Sequence, residues 1–198
     1  LKRTAAEEEA MQTIIETPRL RLRPLGEADA PDMERFCGDW DVARMLRVIP
    51  HPYPPGMARD YIRRLGAGVA PERAWAIVRR GQADAPLLGV VSIRYVGGSD
   101  RVRLGYWLGK PWWGCGYMTE AVAAVIDGVF DEGAAGIDAG VFTDNDASLR
   151  VLEKLGFRFD GAAPAHNAAR GEDAPYLQGH LERAGWTVRG IERAGETG

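Results

Sequence analysis

Two short clusters carry residue types whose spacing could do chemistry. The first is Trp113-Gly114-Cys115-Gly116-Tyr117-Met118. Gly114 and Gly116 remove side chains from a turn, so backbone N–H groups can come close to an anion. A helix starting at this point adds the positive end of its dipole, which makes phosphate binding the chemical reading. Two glycines that simply make a tight turn are the structural alternative. A dinucleotide fingerprint would place a third glycine where Thr119 stands, and a P-loop would end in Gly-Lys-Ser/Thr, which is absent. The second cluster is Asn145-Asp146-Ala147-Ser148, followed by Val151-Leu152-Glu153-Lys154-Leu155-Gly156-Phe157. Ser148 stands at i, i+3, i+4 and i+7 with Val151, Leu152 and Leu155, so a helix turns its hydroxyl toward the apolar side. An inward hydroxyl can assist a leaving group, whereas a back-bonded serine behind an Asn145 N-cap would be purely structural.

Other reactive residue types fit less well. Cys115 as a nucleophile needs a paired histidine, and His51, His166 and His180 are scattered, with no spacing that suits a metal. Glu120 and Asp160 are carboxylates that could accept a proton, and each also reads as a capping or solvated group. The loop Ile49-Pro50-His51-Pro52-Tyr53-Pro54-Pro55 could border a substrate cleft, with His51 and Tyr53 as contacts, or act as a rigid connector.

The elements that must position these residues follow from periodicity. Arg19-Leu20-Arg21-Leu22-Arg23 alternates as a half-buried strand does. A helical stretch runs through Asp32, Met33, Arg35 and Phe36, and a second from Met57 to Leu65 with Arg59, Arg63 and Arg64 on its wet side. Three strands follow, Ala74 to Arg80, Leu87 to Tyr95 and Arg101 to Leu108, separated by Gly81 to Pro86 and by Gly97-Gly98-Ser99-Asp100. They predict an antiparallel meander. In its third strand Val102, Leu104, Tyr106 and Leu108 share one face, opposite Arg101, Arg103, Gly105 and Trp107. Met118, Ala121, Val122, Val125, Ile126 and Val129 then make a helical stripe. A strand over Ile137 to Phe142 leads into the Ser148 helix, which Gly156 caps. Strands near Phe157 to Asp160 and Ala174 to Glu182 bring the expected sheet to about seven strands.

Composition bounds the rest. A chain of 198 residues with 45% hydrophobic residues reads as one globular domain. Its net charge of −3 gives no basic excess for nucleic acid. No apolar stretch reaches the roughly 20 residues of a membrane span, and no signal peptide is seen, so the cytoplasm is the expected compartment. The segment Leu1 to Ala10, with Glu7, Glu8 and Glu9, reads as a helical or disordered extension, and Met11 as a possible natural start. The expected division is an extension over 1–16, a domain over 17–186 and a tail over 187–198.

From about Thr17 to Trp186 the chain resembles the GCN5-related N-acetyltransferase (GNAT) superfamily, in its ribosomal-protein N-terminal acetyltransferase type. The runs W-G-C-G-Y-M-T-E-A and N-D-A-S-L-R-V-L-E-K-L-G-F carry the resemblance. In the broad pattern Q/R-x-x-G-x-G/A, the first place falls on Trp113, the central glycine on Gly116 and the last place on Met118. The resemblance implies an α/β (α+β) acyltransferase fold, a mixed and mostly antiparallel sheet flanked by helices. It implies acetyl-coenzyme A as donor, with its pyrophosphate on the backbone amides of Gly114, Cys115, Gly116, Tyr117, Met118 and Thr119. It implies that the strand ending at Trp107, Leu108 and Gly109 splays from that at Ile137 to Phe142, so the pantetheine arm can pair with exposed backbone. Asn145 matches the amide that contacts that arm, and Ser148 the serine near the sulfur. The acceptor would be an amine, on a small molecule or a protein N-terminus. No metal, nucleic acid or membrane partner is implied, and the protein would be a monomer or homodimer. The same fold could also serve as an acyl-coenzyme A sensor without turnover.

Overall fold

The computed structural model describes residues 14–68, 71–81 and 85–186. Its strands are β1 (Ile15–Glu16), β2 (Leu20–Pro24), β3 (Glu72–Arg79), β4 (Gly89–Tyr95), β5 (Arg101–Leu108), β6 (Gly136–Phe142), β7 (Arg158–Phe159), β8 (Ala163–Asn167) and β9 (Glu172–Glu182). The helices are α1 (Ala30–Cys37), α2 (Trp40–Ala43), α3 (Met57–Gly66), α4 (Tyr117–Asp131) and α5 (Asp146–Lys154). The strands form one sheet in the order β1-β2-β3-β4-β5-β6-β9-β7, with β8 also paired to β9. All neighbours are antiparallel except β5 and β6, which run parallel through the helical crossover α4.

The alternation read from sequence sets the two faces. Leu20, Leu22, Ile77, Val91, Ile93, Val102, Leu104, Ile137, Ala139 and Val141 pack under α4 and α5, where they meet the stripe Met118, Ala121, Val122, Val125, Ile126 and Val129. Fully burying a side chain of this size contributes roughly 1.5–3 kcal/mol, so this face holds the fold together. On the opposite face a smaller core of Met33, Ala58, Ile62, Ala76, Leu87 and Val90 anchors α1 and α3. Arg59, Arg63 and Arg64 are exposed, as the helical spacing requires. Gly156 takes a φ of 86° directly after Leu155, the left-handed turn that ends α5.

The sheet has nine strands rather than seven. The additional two are β1 and β8, and the helical turn α2 was also absent from the periodicity. Ile15 and Glu16, placed by sequence in the leading extension, pair with Leu22 and Arg21 at the sheet edge. Residues 1–13, 69–70, 82–84 and 187–198 lie outside the described residues, and with them the acidic segment, part of one separator and the tail.

The feature that shapes the site is an interrupted ladder. β5 and β6 pair only from Arg101 with Gly136 to Leu104 with Ala139, although the strands continue to Leu108 and Phe142. Over that stretch β4 still follows β5 to the pair Gly89 with Leu108, and β9 still follows β6 to Phe142 with Tyr176. The two half-sheets diverge, and Gly105 and Gly140 are the first residues past the last rung.

Candidate active site

The open end of the β5–β6 gap collects both clusters singled out by sequence. β5 runs into a short 3-10 turn over Lys110–Trp112, then the glycine loop, then α4. Gly114 and Gly116 have φ of 76° and 75°, a left-handed conformation that side chains with a Cβ resist. Gly116 is the N-cap of α4, and its carbonyl accepts the first helical hydrogen bond, from Glu120 N. The N–H groups of Tyr117, Met118 and Thr119 precede that bond, so the helix itself gives them no acceptor. Gly114, Cys115 and Gly116 are exposed, while the Met118 side chain is buried in the core, leaving only its backbone to the loop.

The loop is held by contacts that sequence reading missed. Arg19, taken as one member of an alternating strand, donates through Nη1 to the Cys115 carbonyl at 3.0 Å. Its guanidinium also lies over the Tyr117 ring at 4.8 Å and pairs with Glu120 at 2.6 Å. An Arg19–Glu120 ion pair thus braces the loop. On the other side Trp113 Nε1 donates to the Leu108 carbonyl at 2.7 Å, tying the loop to the end of β5. Trp107 turns to the opposite face, 6.4 Å from the Phe36 ring, and Gly109 N donates to Leu88 O at 2.8 Å.

Across the gap, Asn145 caps α5: its Oδ1 accepts from Ser148 N at 3.1 Å. The same helix turns Ser148 inward, and its Oγ lies 2.7 Å from the Tyr106 hydroxyl. Ser148 is half-buried there, neither back-bonded nor fully solvated. Asn145 is therefore the N-cap of the structural alternative, while the Ser148 hydroxyl turns to the inward side, as its spacing with Val151, Leu152 and Leu155 predicts.

The two carboxylates considered as proton acceptors are engaged. Burial works to raise Glu120, but hydrogen bonds from Thr17 Oγ1, Arg19 N and the Arg19 guanidinium outweigh it and hold the carboxyl below its usual range. Such a group is a poor base near neutrality. Asp160 is bound to His180 Nε2 at 2.9 Å, on the far side of β9 from the gap. His180 Nδ1 meets Asp138 at 2.9 Å as well, and the hydrogen bond to Asp138, with further help from Asp160, raises the imidazole against burial. Neither cysteine meets the needs of a nucleophile. Among the described residues the hydrogen-bond partner of Cys115 Sγ is the Trp113 carbonyl, and burial pushes the Cys37 thiol up to about 12.

Beside the ends of β5 and β6 lies a polar groove lined by Trp40, Asp41, Arg44, Arg170 and Glu172. Ion pairs link the two sides of its mouth: Lys110, just after β5, binds Asp41, while Asp144, just after β6, binds Arg170 at 2.8 Å and Arg44 at 3.6 Å. His51 stacks edge-on against Trp40 at 5.2 Å, so the proline-rich loop reaches the groove rim. Tyr53 instead packs against the α1–α3 core. The Tyr176 ring covers Gly140, where a Cβ would fall 2.1 Å from the tyrosine oxygen.

Residues 19–158 match the acetyltransferase (GNAT) domain. The chain belongs to the GNAT family. Among curated relatives, the N-acetyltransferase YoaA of Bacillus subtilis is 30% identical over 155 residues, covering 76% of this chain and 86% of that protein. YjcK of the same organism, also named as an N-acetyltransferase, is 43% identical over 84 residues, 41% of this chain and 46% of its own length. In fold the chain is similar to Mycobacterium smegmatis RimJ in complex with a coenzyme A disulfide, with a TM-score of 0.69, 20% identity and 87% of each chain covered. By class the family member is an acetyl-coenzyme A-dependent N-acetyltransferase. Among the described residues no group of three or more His, Cys, Asp or Glu side chains is placed to hold a metal ion. No helix among them is long and apolar enough to cross a membrane.

Proposed function

We propose that the protein transfers an acetyl group from acetyl-coenzyme A to a primary amine, a protein N-terminus among the candidates, by direct attack in a ternary complex in the cytoplasm. The observation that carries this reading is the ladder that stops at Leu104 and Ala139 with a glycine loop at its open end. Past the last rung, β5 backbone at Trp107, Leu108 and Gly109 has no β6 partner in register, and beyond the Gly109 N–H and the Leu108 carbonyl, which bond Leu88 and Trp113, this open edge suits an extended, amide-bearing arm such as pantetheine. The backbone amides from Gly114 to Thr119 suit its pyrophosphate, on a loop that Arg19, paired with Glu120, holds in place. The groove beside the strand ends offers the amine a separate approach.

In this scheme the amine arrives neutral and attacks the thioester carbonyl, and a backbone N–H near Leu108 holds the oxyanion. One such donor in a dry site is worth roughly 3 kcal/mol. The C–S bond then breaks, with Ser148 Oγ donating a hydrogen bond to the departing sulfur. Because Glu120 and Asp160 are committed elsewhere, water in the groove takes the amine proton. The test is release of free coenzyme A thiol from acetyl-coenzyme A with a panel of amines and of peptides with free alanine or serine N-termini. Turnover with at least one acceptor class is expected. Tight coenzyme A binding with no thiol release across the panel would make the protein a sensor, and stabilisation by NAD in place of coenzyme A would sink the donor assignment.

A further inference from the structure

Tyr106 has no part in the scheme above, yet its hydroxyl is the group that reaches Ser148. It starts on β5, crosses the diverging gap on the face of α4 and α5, and ends 2.7 Å from Ser148 Oγ and 3.4 Å from the Ser148 carbonyl oxygen. The bond therefore spans from one half-sheet to the helix that follows the other. We propose that Tyr106 is the positioning residue of the transfer step, donating to Ser148 Oγ so that the serine hydrogen is directed at the departing sulfur. This rests on the reading of Ser148 given above.

The chemistry follows from the donor inventory. A serine hydroxyl has one hydrogen to give and two lone pairs to receive with. Left alone in a first helical turn, it rotates and bonds back to the preceding carbonyls. A hydrogen bond received from Tyr106 occupies a lone pair, fixes the rotor and polarises the remaining O–H. Burial pushes the Tyr106 phenol above its usual value against the lowering by its hydrogen bond with Ser148, so it keeps a proton to give. A thiolate, with a conjugate acid near 8.5, is far too weak a base to strip a serine hydroxyl, so Ser148 acts by hydrogen bonding. The balance is then simple. The amine lone pair forms the C–N bond, the C–S pair leaves on sulfur, the amine loses a proton to water, and a water proton reaches the sulfur. Ser148 and Tyr106 keep their own.

The test is a double-mutant cycle of Tyr106→Phe and Ser148→Ala, read on bound coenzyme A and on turnover. The phenylalanine keeps the ring, so the melting temperature should stay close to that of the unaltered protein. The thiol of bound coenzyme A, followed by its ultraviolet thiolate absorbance, should titrate higher in Tyr106→Phe by about half a unit, roughly threefold in thiolate stabilisation. With a peptide acceptor that turns over, kcat should fall about five- to twentyfold while KM for acetyl-coenzyme A holds, and neither change should recur in the Ser148→Ala background. If Ser148→Ala shifts both readouts and Tyr106→Phe shifts neither, the tyrosine is only packing and this inference is wrong. Losses that add in the double variant would overturn it equally. If Ser148→Ala itself changes nothing, the underlying reading of the serine fails.

Discussion

At the scale of single residues, two positions carry most of the proposed chemistry. For Ser148→Ala, kcat and kcat/KM should fall together by roughly ten- to a thousandfold, with acetyl-coenzyme A affinity little changed, because the hydroxyl acts on charge that develops only as the thiolate leaves. Steady-state kinetics at saturating donor and acceptor checks this. A variant that runs at the unaltered rate would leave Ser148 a packing residue. Gly116→Val should weaken coenzyme A binding by tenfold or more, about 1.4 kcal/mol by calorimetry. The backbone contributes to this loss. A Cβ at Gly116 meets its nearest neighbour, Arg19 Nη2, at an ordinary 3.4 Å, but the φ of 75° is strained for a branched side chain. The loop must therefore rearrange, and unchanged affinity in a folded variant would remove it from the donor site. Arg19 and Tyr106 show what sequence hides at this scale. Each read as one residue of an alternating strand, because its partner lies 101 residues away at Glu120 or 42 away at Ser148. Periodicity reports which face a side chain takes and says nothing of what waits there.

At the scale of elements, long regular segments were legible and short ones were not. The α4 stripe repeats over three turns, enough for the 3.6 period to stand out, and every member is buried. α2 is four residues long, and β8, Ala163-Pro164-Ala165-His166-Asn167, has neither alternation nor a β-branched side chain. Both form because neighbours demand them: Asn167 Nδ2 donates to the Arg44 carbonyl at 2.8 Å, joining the β8–β9 hairpin to the end of α2. A second cross-element contact makes a pH prediction. His180 on β9 holds Asp138 on β6 and Asp160 after β7, and its folded value is raised. A raised value means stabilisation that is complete below the unfolded histidine value of about 6.5 and lost as pH rises through the folded one. Asp138 is lowered by Arg101 and His180 against its burial, so its share persists until pH falls well below the usual carboxylate range. The melting-temperature gap between the unaltered protein and His180→Gln should thus be widest near pH 6 and close at alkaline pH. A gap that instead widens with pH would contradict the imidazolium.

At the scale of the whole molecule, the fold class and the family followed from sequence because two motif runs carry the resemblance, whereas the gap that both flank at its open end is visible only in the register of β5 against β6. The acidic segment before Met11 lies outside both motifs, so a chain beginning at Met11 should keep its melting temperature and its coenzyme A affinity. Loss of either in calorimetry would show that the segment docks. The unfinished ladder has a further consequence for the protein's lifetime. A donor lying between β5 and β6 would complete the sheet, so the ratio of native to unfolded chain should rise with donor concentration as one plus its multiple of Kd. Resistance to a dilute protease should then increase when coenzyme A is added, with cleavage suppressed first in the segments flanking the gap. In a cell the fraction of enzyme that escapes proteolysis would then rise with the pool of its own donor.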